Sequence, residues 1–336
     1  MIPILLVGII FAVFLVIIMY ILQLSFIWAF ILAGIFILIE YLISPAILKA
    51  TMRLHYLKAG ENPWLESTVK DLAQKSGIPT PKLAIVPDPT PNAFVFGRTS
   101  RDATLAVHEG LLQNLNEEEV RGVIGHELGH IRHKDYLVMT ALSVVPLLVY
   151  LIARGTMEAA WISGRTARRR DEKGGGLAAA LIAIAILSYV VYIISLLLVM
   201  RLSRLREHYA DAYSAYVTES PRQLESALTK ITYGLSLSPA PPHGARTLYI
   251  GDPALAKMEM QNIISRKEEY DLDKDGVLDE RELELAMEKE AKSRWLTINR
   301  WFQTHPATFH RILLLLEIEN EMTTGKYSEK RVYAHV

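Results

Sequence analysis

His126-Glu127-Leu128-Gly129-His130 sets two imidazoles four residues apart, and on a helix such a pair shares one face and can hold one metal ion. A catalytic zinc takes three protein ligands and keeps a fourth position for water, whose proton the acid inside the motif accepts. Glu127 is therefore the candidate general base. This geometry needs a helix, and the sequence supplies one. Asn116 reads as an N-cap, Glu117, Glu118 and Glu119 suit the positive helix end, and Val120, Val123, Ile124, Leu128 and Ile131 recur at helical spacing.

Further along, Arg206-Glu207-His208-Tyr209-Ala210-Asp211 reads as an amphipathic helix with Glu207 and Asp211 on one face at i, i+4. Glu207 is the expected third ligand, and Asp211 the carboxylate that orients a ligand histidine through its second nitrogen. Residues 271 to 282 form a second constellation of the calcium-loop type. Asp271, Asp273 and Asp275 supply oxygens at the first three side-chain positions, Gly276 the sharp turn, Val277 a carbonyl, Asp279 a water site and Glu282 the closing bidentate carboxylate. Helical patterns over Lys257 to Tyr270 and Arg281 to Lys292 flank it, so an EF-hand-like helix-loop-helix over about 257–293, holding one calcium ion, is expected. Without a paired loop it reads as a structural clip rather than a sensor.

The elements that must position these residues are partly membrane-bound. Of the 336 residues 51% are hydrophobic, enough for a sizeable core with apolar surface left to face lipid. Lys plus Arg equals Asp plus Glu at 36 each, so no overall basic field exists for nucleic acid to exploit. The absence of cysteine removes thiolate nucleophiles and disulfides, and restricts zinc ligands to His, Asp and Glu.

Four apolar segments, 2–22, 25–48, 136–152 and 177–200, are expected as membrane helices arranged in two hairpins. Lys49, Arg53 and Lys58 follow the first hairpin and Arg201, Arg204 and Arg206 the second, which puts the catalytic side in the cytoplasm. A polar loop carrying Arg165, Arg168, Arg169, Arg170 and Lys173 is expected between the third and fourth segments, so the second hairpin either spans with this basic cluster outside or only dips into the membrane. Between the hairpins, Lys82 to Val86, Ala93 to Gly97 and Thr104 to His108 read as a small antiparallel sheet beside the metal helix. Asn92, Ala93 and Phe94 would lie on an edge able to hold an extended substrate by strand addition. The organisation is then a transmembrane hairpin (1–48), a first catalytic part (49–135), a second hairpin with its basic loop (136–200), a second catalytic part (201–322) and a polar, mobile tail (323–336).

Asn92-Ala93-Phe94, the HELGH sequence, Glu207-x-x-Ala210-Asp211 and His305-Pro306 followed by Arg311 together resemble the HtpX family of membrane zinc proteases, relatives of the CAAX prenyl endopeptidases. The resemblance covers most of the length. It implies one zinc on His126, His130 and Glu207, Glu127 as general acid and base, and His305 and Arg311 near the active site, ordering it or stabilising an oxyanion. It implies a mainly α membrane protein with an α+β, zincin-like catalytic domain. It further implies polypeptide substrates, chiefly misfolded or damaged membrane proteins, cut at the cytoplasmic face of the plasma membrane. The calcium-type loop departs from the family pattern. A reading of a different class, a non-catalytic membrane scaffold with structural zinc and a calcium-dependent partner site, predicts bound metal without turnover; against it, structural zinc closes with four ligands and only three are found here. A transporter would carry polar groups near the membrane midplane, and these segments are nearly devoid of charge.

Overall fold

The structure, a computed structural model, describes residues 26–170, 174–238, 249–275, 278–291, 305–325, 332–334 and 336. These residues are mostly helical, with one small sheet. In chain order α1 (Phe26–Thr51) leads to β1 (His55–Tyr56), α2 (Pro63–Lys75), β2 (Lys82–Val86), β3 (Ala93–Phe96), β4 (Thr104–His108), the short α3 (Glu109–Asn114) and α4 (Glu117–Arg132).

The sheet order is β1-β2-β4-β3. β1 is antiparallel to β2 and β3 to β4, but β2 runs parallel to β4, so the expected antiparallel sheet is corrected to a mixed one. The cause lies in the connection from Pro87 to Asn92. Pro87, Pro89 and Pro91 are incompatible with a two-residue hairpin turn, and the longer link carries the chain across the end of β4 to pair on its far side. This crossing runs so close to α3 that a Cβ on Gly110 would lie 1.9 Å from the Pro89 carbonyl oxygen. Only glycine fits there.

α4 begins with a capping box: Asn116 Oδ1 accepts from Glu119 N at 2.9 Å and Glu119 Oε2 accepts from Asn116 N at 2.8 Å. Its apolar face enters a core with Leu72, Leu105, Leu224 and Ile231, to which it contributes Ile124 and Leu128. α5 (Asp135–Arg170) and α6 (Gly174–Thr218) follow, then α7 (Pro221–Leu237), α8 (Pro253–Ser265), α9 (Glu280–Ala291) and α10 (Thr308–Thr323).

The chain divides into two compact units, one from the described part of Met1–Ser44 with Val138–Val199, the other from Pro45–Leu137 with Met200–Val336. In the first, α6 exposes Ile186, Leu187, Ile193, Ile194 and Leu198, a stripe that water disfavours and lipid accepts. Among the described residues one helix, Ala178–Thr218, is long and apolar enough to cross a membrane, its apolar part ending near Met200. The expected count of four spans goes beyond this. Segment 2–22 lies outside the described residues, 25–48 falls in α1 and 136–152 in α5.

The loop expected after residue 152 is instead helix as far as Arg170, because the stretch is rich in Ala, Arg and other helix formers and holds no proline. The Arg165 guanidinium stacks 3.8 Å from the Trp161 ring, one turn earlier; Lys173 lies outside the described residues. The mobile tail is also corrected in part. Val332 is buried in the main core, and Tyr333 shares a 2.6 Å hydrogen bond with His133 Nε2, so the chain end is tied down by packing.

Candidate metal centre

α4 and α6 cross at small residues. A Cβ on Gly129 would lie 3.2 Å from Ala210 Cα, and one on Gly125 would lie 2.9 Å from Ser214 Oγ, so glycine lets the two helices approach closely. Ser214 Oγ donates to the Gly122 carbonyl at 2.6 Å across the same crossing. The consequence is local: Glu207, one turn before Asp211 on α6, arrives beside the histidine pair of α4.

His126 Nε2 and His130 Nε2 are 3.2 Å apart, and Glu207 places Oε2 3.6 Å from the first and Oε1 3.7 Å from the second. One ligand atom from each residue lies within 4.8 Å of the others, a group able to hold a metal ion. Two imidazole nitrogens and a carboxylate form the borderline N/O donor set that suits zinc, and three donors leave a position open. His126 is fully buried, whereas the His130 side chain keeps 16% of its surface, so the group is approached from the His130 side.

Each ligand histidine is held from behind by a carboxylate, and each carboxylate by an arginine. His126 Nδ1 donates to Asp211 Oδ1 at 2.9 Å, and Arg311 grips Asp211 with two hydrogen bonds, Nε to Oδ2 at 2.9 Å and Nη2 to Oδ1 at 2.7 Å. His130 Nδ1 donates to Asp135 Oδ2 at 2.6 Å, and Arg206 pairs with Asp135 while donating to the His133 carbonyl at 3.1 Å. Such partners fix the tautomer and aim each Nε2 lone pair at the metal position. Asp211 lay in the sequence expectation; Asp135 did not. Its signal was an acid shortly after the second histidine at the start of a new helix. The positive-φ turn at Lys134 is what folds it back.

Electrostatics follow burial. Glu127 is 3% exposed, and burial raises its carboxyl above the usual range despite the nearby histidines. Burial also raises Glu207 and Asp211, but hydrogen-bonding and charged neighbours outweigh it. His305, His126 and His130 hold Glu207 well below the usual range, and Arg311 with His126 does the same for Asp211. His305 is buried with Nδ1 3.6 Å from Glu207 Oε2. The Arg311 guanidinium is committed to Asp211 and, through Nη1, to the Ile250 carbonyl, which favours the ordering alternative for this residue.

The sequence motif Asn92-Ala93-Phe94 lies where β3 forms the sheet edge, yet all three residues are buried. Asn92 Oδ1 accepts from Ile250 N at 3.0 Å, so this side chain braces the segment that Arg311 also holds. Ile250 carried no signal in the sequence. In the acidic loop, Asp271, Asp273 and Glu282 converge within 4.8 Å, and the buried Glu282 accepts from the backbone of Leu272 and Asp279. Asp279 Oδ1 caps α9 by accepting from Glu282 N at 2.8 Å, Asp275 is exposed, and Gly276 and Val277 lie outside the described residues. The helix expected before the loop ends at Ser265 and gives way to a 3-10 turn, Lys267–Glu269.

Known proteins bear on this arrangement. The Protease HtpX homolog of Methanothermobacter thermautotrophicus is 42% identical over 200 residues, covering 60% of this chain and 71% of that protein. Its counterpart in Methanocaldococcus jannaschii is 34% identical over 290 residues, covering 86% and 87%. The crystal structure of S. mikatae Ste24p matches with a TM-score of 0.50 at 14% identity, covering 90% of this chain and 62% of that one, a likeness of fold. The model of peptidase family M48 matches residues 59–319. Peptidases of that family are metalloproteases that use zinc. The chain belongs to peptidase family M48 and is a membrane metalloprotease, a hydrolase of peptide bonds.

Proposed function

We propose that the chain is a zinc-dependent endopeptidase of the plasma membrane that cuts misfolded or damaged membrane proteins at the cytoplasmic face. The observation that carries this reading is the convergence of His126, His130 and Glu207 with the buried acid Glu127 beside them. Zinc bound there supplies Lewis-acid polarisation of a scissile carbonyl and of the attacking water. The Glu127 carboxylate accepts that water's proton and returns it to the leaving amine; burial raises its proton affinity toward what a group that both takes and gives a proton requires. Asp211 and Asp135 hold the two imidazoles, and His305 stands beside Glu207, positioned to donate to an oxygen that gains charge. An extended substrate adds to β3, the outer strand of the sheet among the described residues, which supports cleavage with little side-chain selectivity. The basic residues after each hairpin support the cytoplasmic orientation. The loop at 271–282 takes one calcium ion, a reading supported by the three converging carboxylates and by the flanking helices.

The test is proteolysis of a loosely folded protein by the detergent-purified chain with added zinc, beside Glu127→Gln. The variant should stay folded, bind zinc and lose at least about a thousandfold in rate, since it keeps the ligands and removes the base. Equal turnover by the two proteins would reject Glu127 as the base. Zinc binding without turnover by either would favour the scaffold.

A further inference from the structure

The end of α5 carries a basic and aromatic face that peptide hydrolysis does not use. Ala153, Thr156 and Ala160 are buried on one side of this helix, while Arg154, Glu158, Trp161 and Arg165 recur at helical spacing on the other. Trp161 is 63% exposed, and the Arg165 guanidinium lies 3.8 Å over its ring. Stacking occupies the flat face of the guanidinium and leaves its N–H edge free, and Arg165 makes no hydrogen bond or ion pair among the described residues. The helix then continues through Arg168, Arg169 and Arg170, so 159–170 hold four arginines and no acid. Asp171, Glu172 and Lys173 follow outside the described residues, which leaves five cations against two acids over 159–173.

The packing of α5 on α6 sets the level of this face. Tyr150 meets Tyr189 and Tyr192, with ring centroids 6.2 and 5.5 Å apart, and three residues join the two helices, so they run antiparallel. Trp161 lies about 16 Å beyond Tyr150 along α5, and the same distance back from Tyr189 and Tyr192 along α6 reaches residues 178–181, where the apolar stretch begins. Arg165 is one turn further out, level with Gly174 to Leu177. With α6 in lipid, Trp161 therefore stands at the boundary of the hydrocarbon and Arg165 among the headgroups. Nearer Tyr150 the same face holds Arg154 and Glu158, one charge of each sign, so net positive charge begins only at the boundary.

A tryptophan at that level is anchored by the interface, and a stacked guanidinium with an open N–H edge matches the paired oxygens of a phosphodiester. Net positive charge selects an anionic headgroup over a zwitterionic one. We propose that Trp161 and Arg165 form a binding site for the headgroup of an anionic phospholipid, Arg165 donating to its phosphate and Trp161 covering its glycerol region. The charge of Arg168, Arg169 and Arg170 adds attraction at longer range. The inference rests on the lipid contact of α6. It depends neither on the zinc chemistry nor on the side of the membrane that the metal centre faces.

The test is fluorescence quenching in the full chain, reconstituted into vesicles of phosphatidylcholine and phosphatidylglycerol with bromine on the acyl chains of one lipid or the other at equal mole fraction. The signal of Trp161 among the five tryptophans is the difference between the wild type and Trp161→Phe. Brominated phosphatidylglycerol should quench it at least about twofold more strongly than brominated phosphatidylcholine, and bromines close to the headgroup more strongly than bromines near the chain ends. Arg165→Gln removes the donor fork and should lose at least about half of the preference for phosphatidylglycerol. Both positions are exposed, so neither replacement opens the core. Equal quenching by the two lipids, quenching by neither, or a preference unchanged in Arg165→Gln would each overturn the proposal.

Discussion

The metal centre and the acidic loop are two clusters of ligand-type residues built in opposite ways. At the centre the donors come from two helices far apart in sequence and are mostly buried, and each histidine is backed by a carboxylate and then an arginine: His126–Asp211–Arg311 and His130–Asp135–Arg206. In the loop the donors are neighbours in the chain, Asp273 is exposed, and the closing Glu282 is held by backbone N–H groups. Burying charge is costly unless pairing is complete, so each buried donor of the centre carries its own brace. The acidic cluster reaches water through Asp273, and the ion proposed for it would need no buried brace. The centre's properties should therefore be sensitive to residues that never touch metal, and the loop's should not.

The sharpest way to break this contrast is at Arg311, which is 2% exposed. Arg311→Ala leaves Asp211 buried without its partner and should cost about 3–5 kcal/mol of stability, read by chemical denaturation. Arg311→Lys keeps the charge but not the paired hydrogen bonds and should lose less. If the alanine variant is as stable as the wild type, the buried pairing does not organise the centre. Asp135→Asn is the next test. It preserves shape but weakens the brace on His130, and zinc affinity should fall about 10–100-fold in chelator competition. Arg206 then keeps the His133 carbonyl and partial access to water, so stability should change less than in Arg311→Ala. Should Asp211→Asn weaken zinc binding while Asp135→Asn does not, the two braces are not equivalent.

The same contrast explains what was legible in the sequence. His126, Glu127 and His130 follow a helical period, and the Asn116 cap and the three strands are local signals, so each could be read from its neighbours. Asp135 and Ile250 could not. One depends on a positive-φ turn at Lys134, the other on a backbone oxygen that meets Arg311 and a backbone N–H that meets Asn92 only after folding. The parallel pairing of β2 with β4 was hidden for a related reason. Alternation predicts a strand but not its neighbour, and the prolines between β2 and β3 mark a break without saying on which side of β4 the chain resumes. Residues 153–170 were misread because a basic, polar run suggests a loop while its helix propensity is high.

The smallest expected effect belongs to the loop. With calcium about a hundredfold above its dissociation constant, the wild type should gain about 2.7 kcal/mol of stability, seen as a raised melting temperature. Glu282→Gln removes the bidentate closing ligand and should lose most of that gain, although the amide oxygen can still accept one of the backbone hydrogen bonds that Glu282 now holds. Zinc affinity, measured in the same preparations, should not follow calcium in either protein if the loop is a local clip. The alternative has a physical route, because Leu283, Ala286 and Met287 of α9 pack in one cluster with Ala307, Phe309 and Ile312, residues interleaved with the His305 to Arg311 segment. A calcium-dependent zinc affinity that disappears in Glu282→Gln would mean that the loop acts through α10 on the centre, and the two regions would then have to be treated as one coupled system.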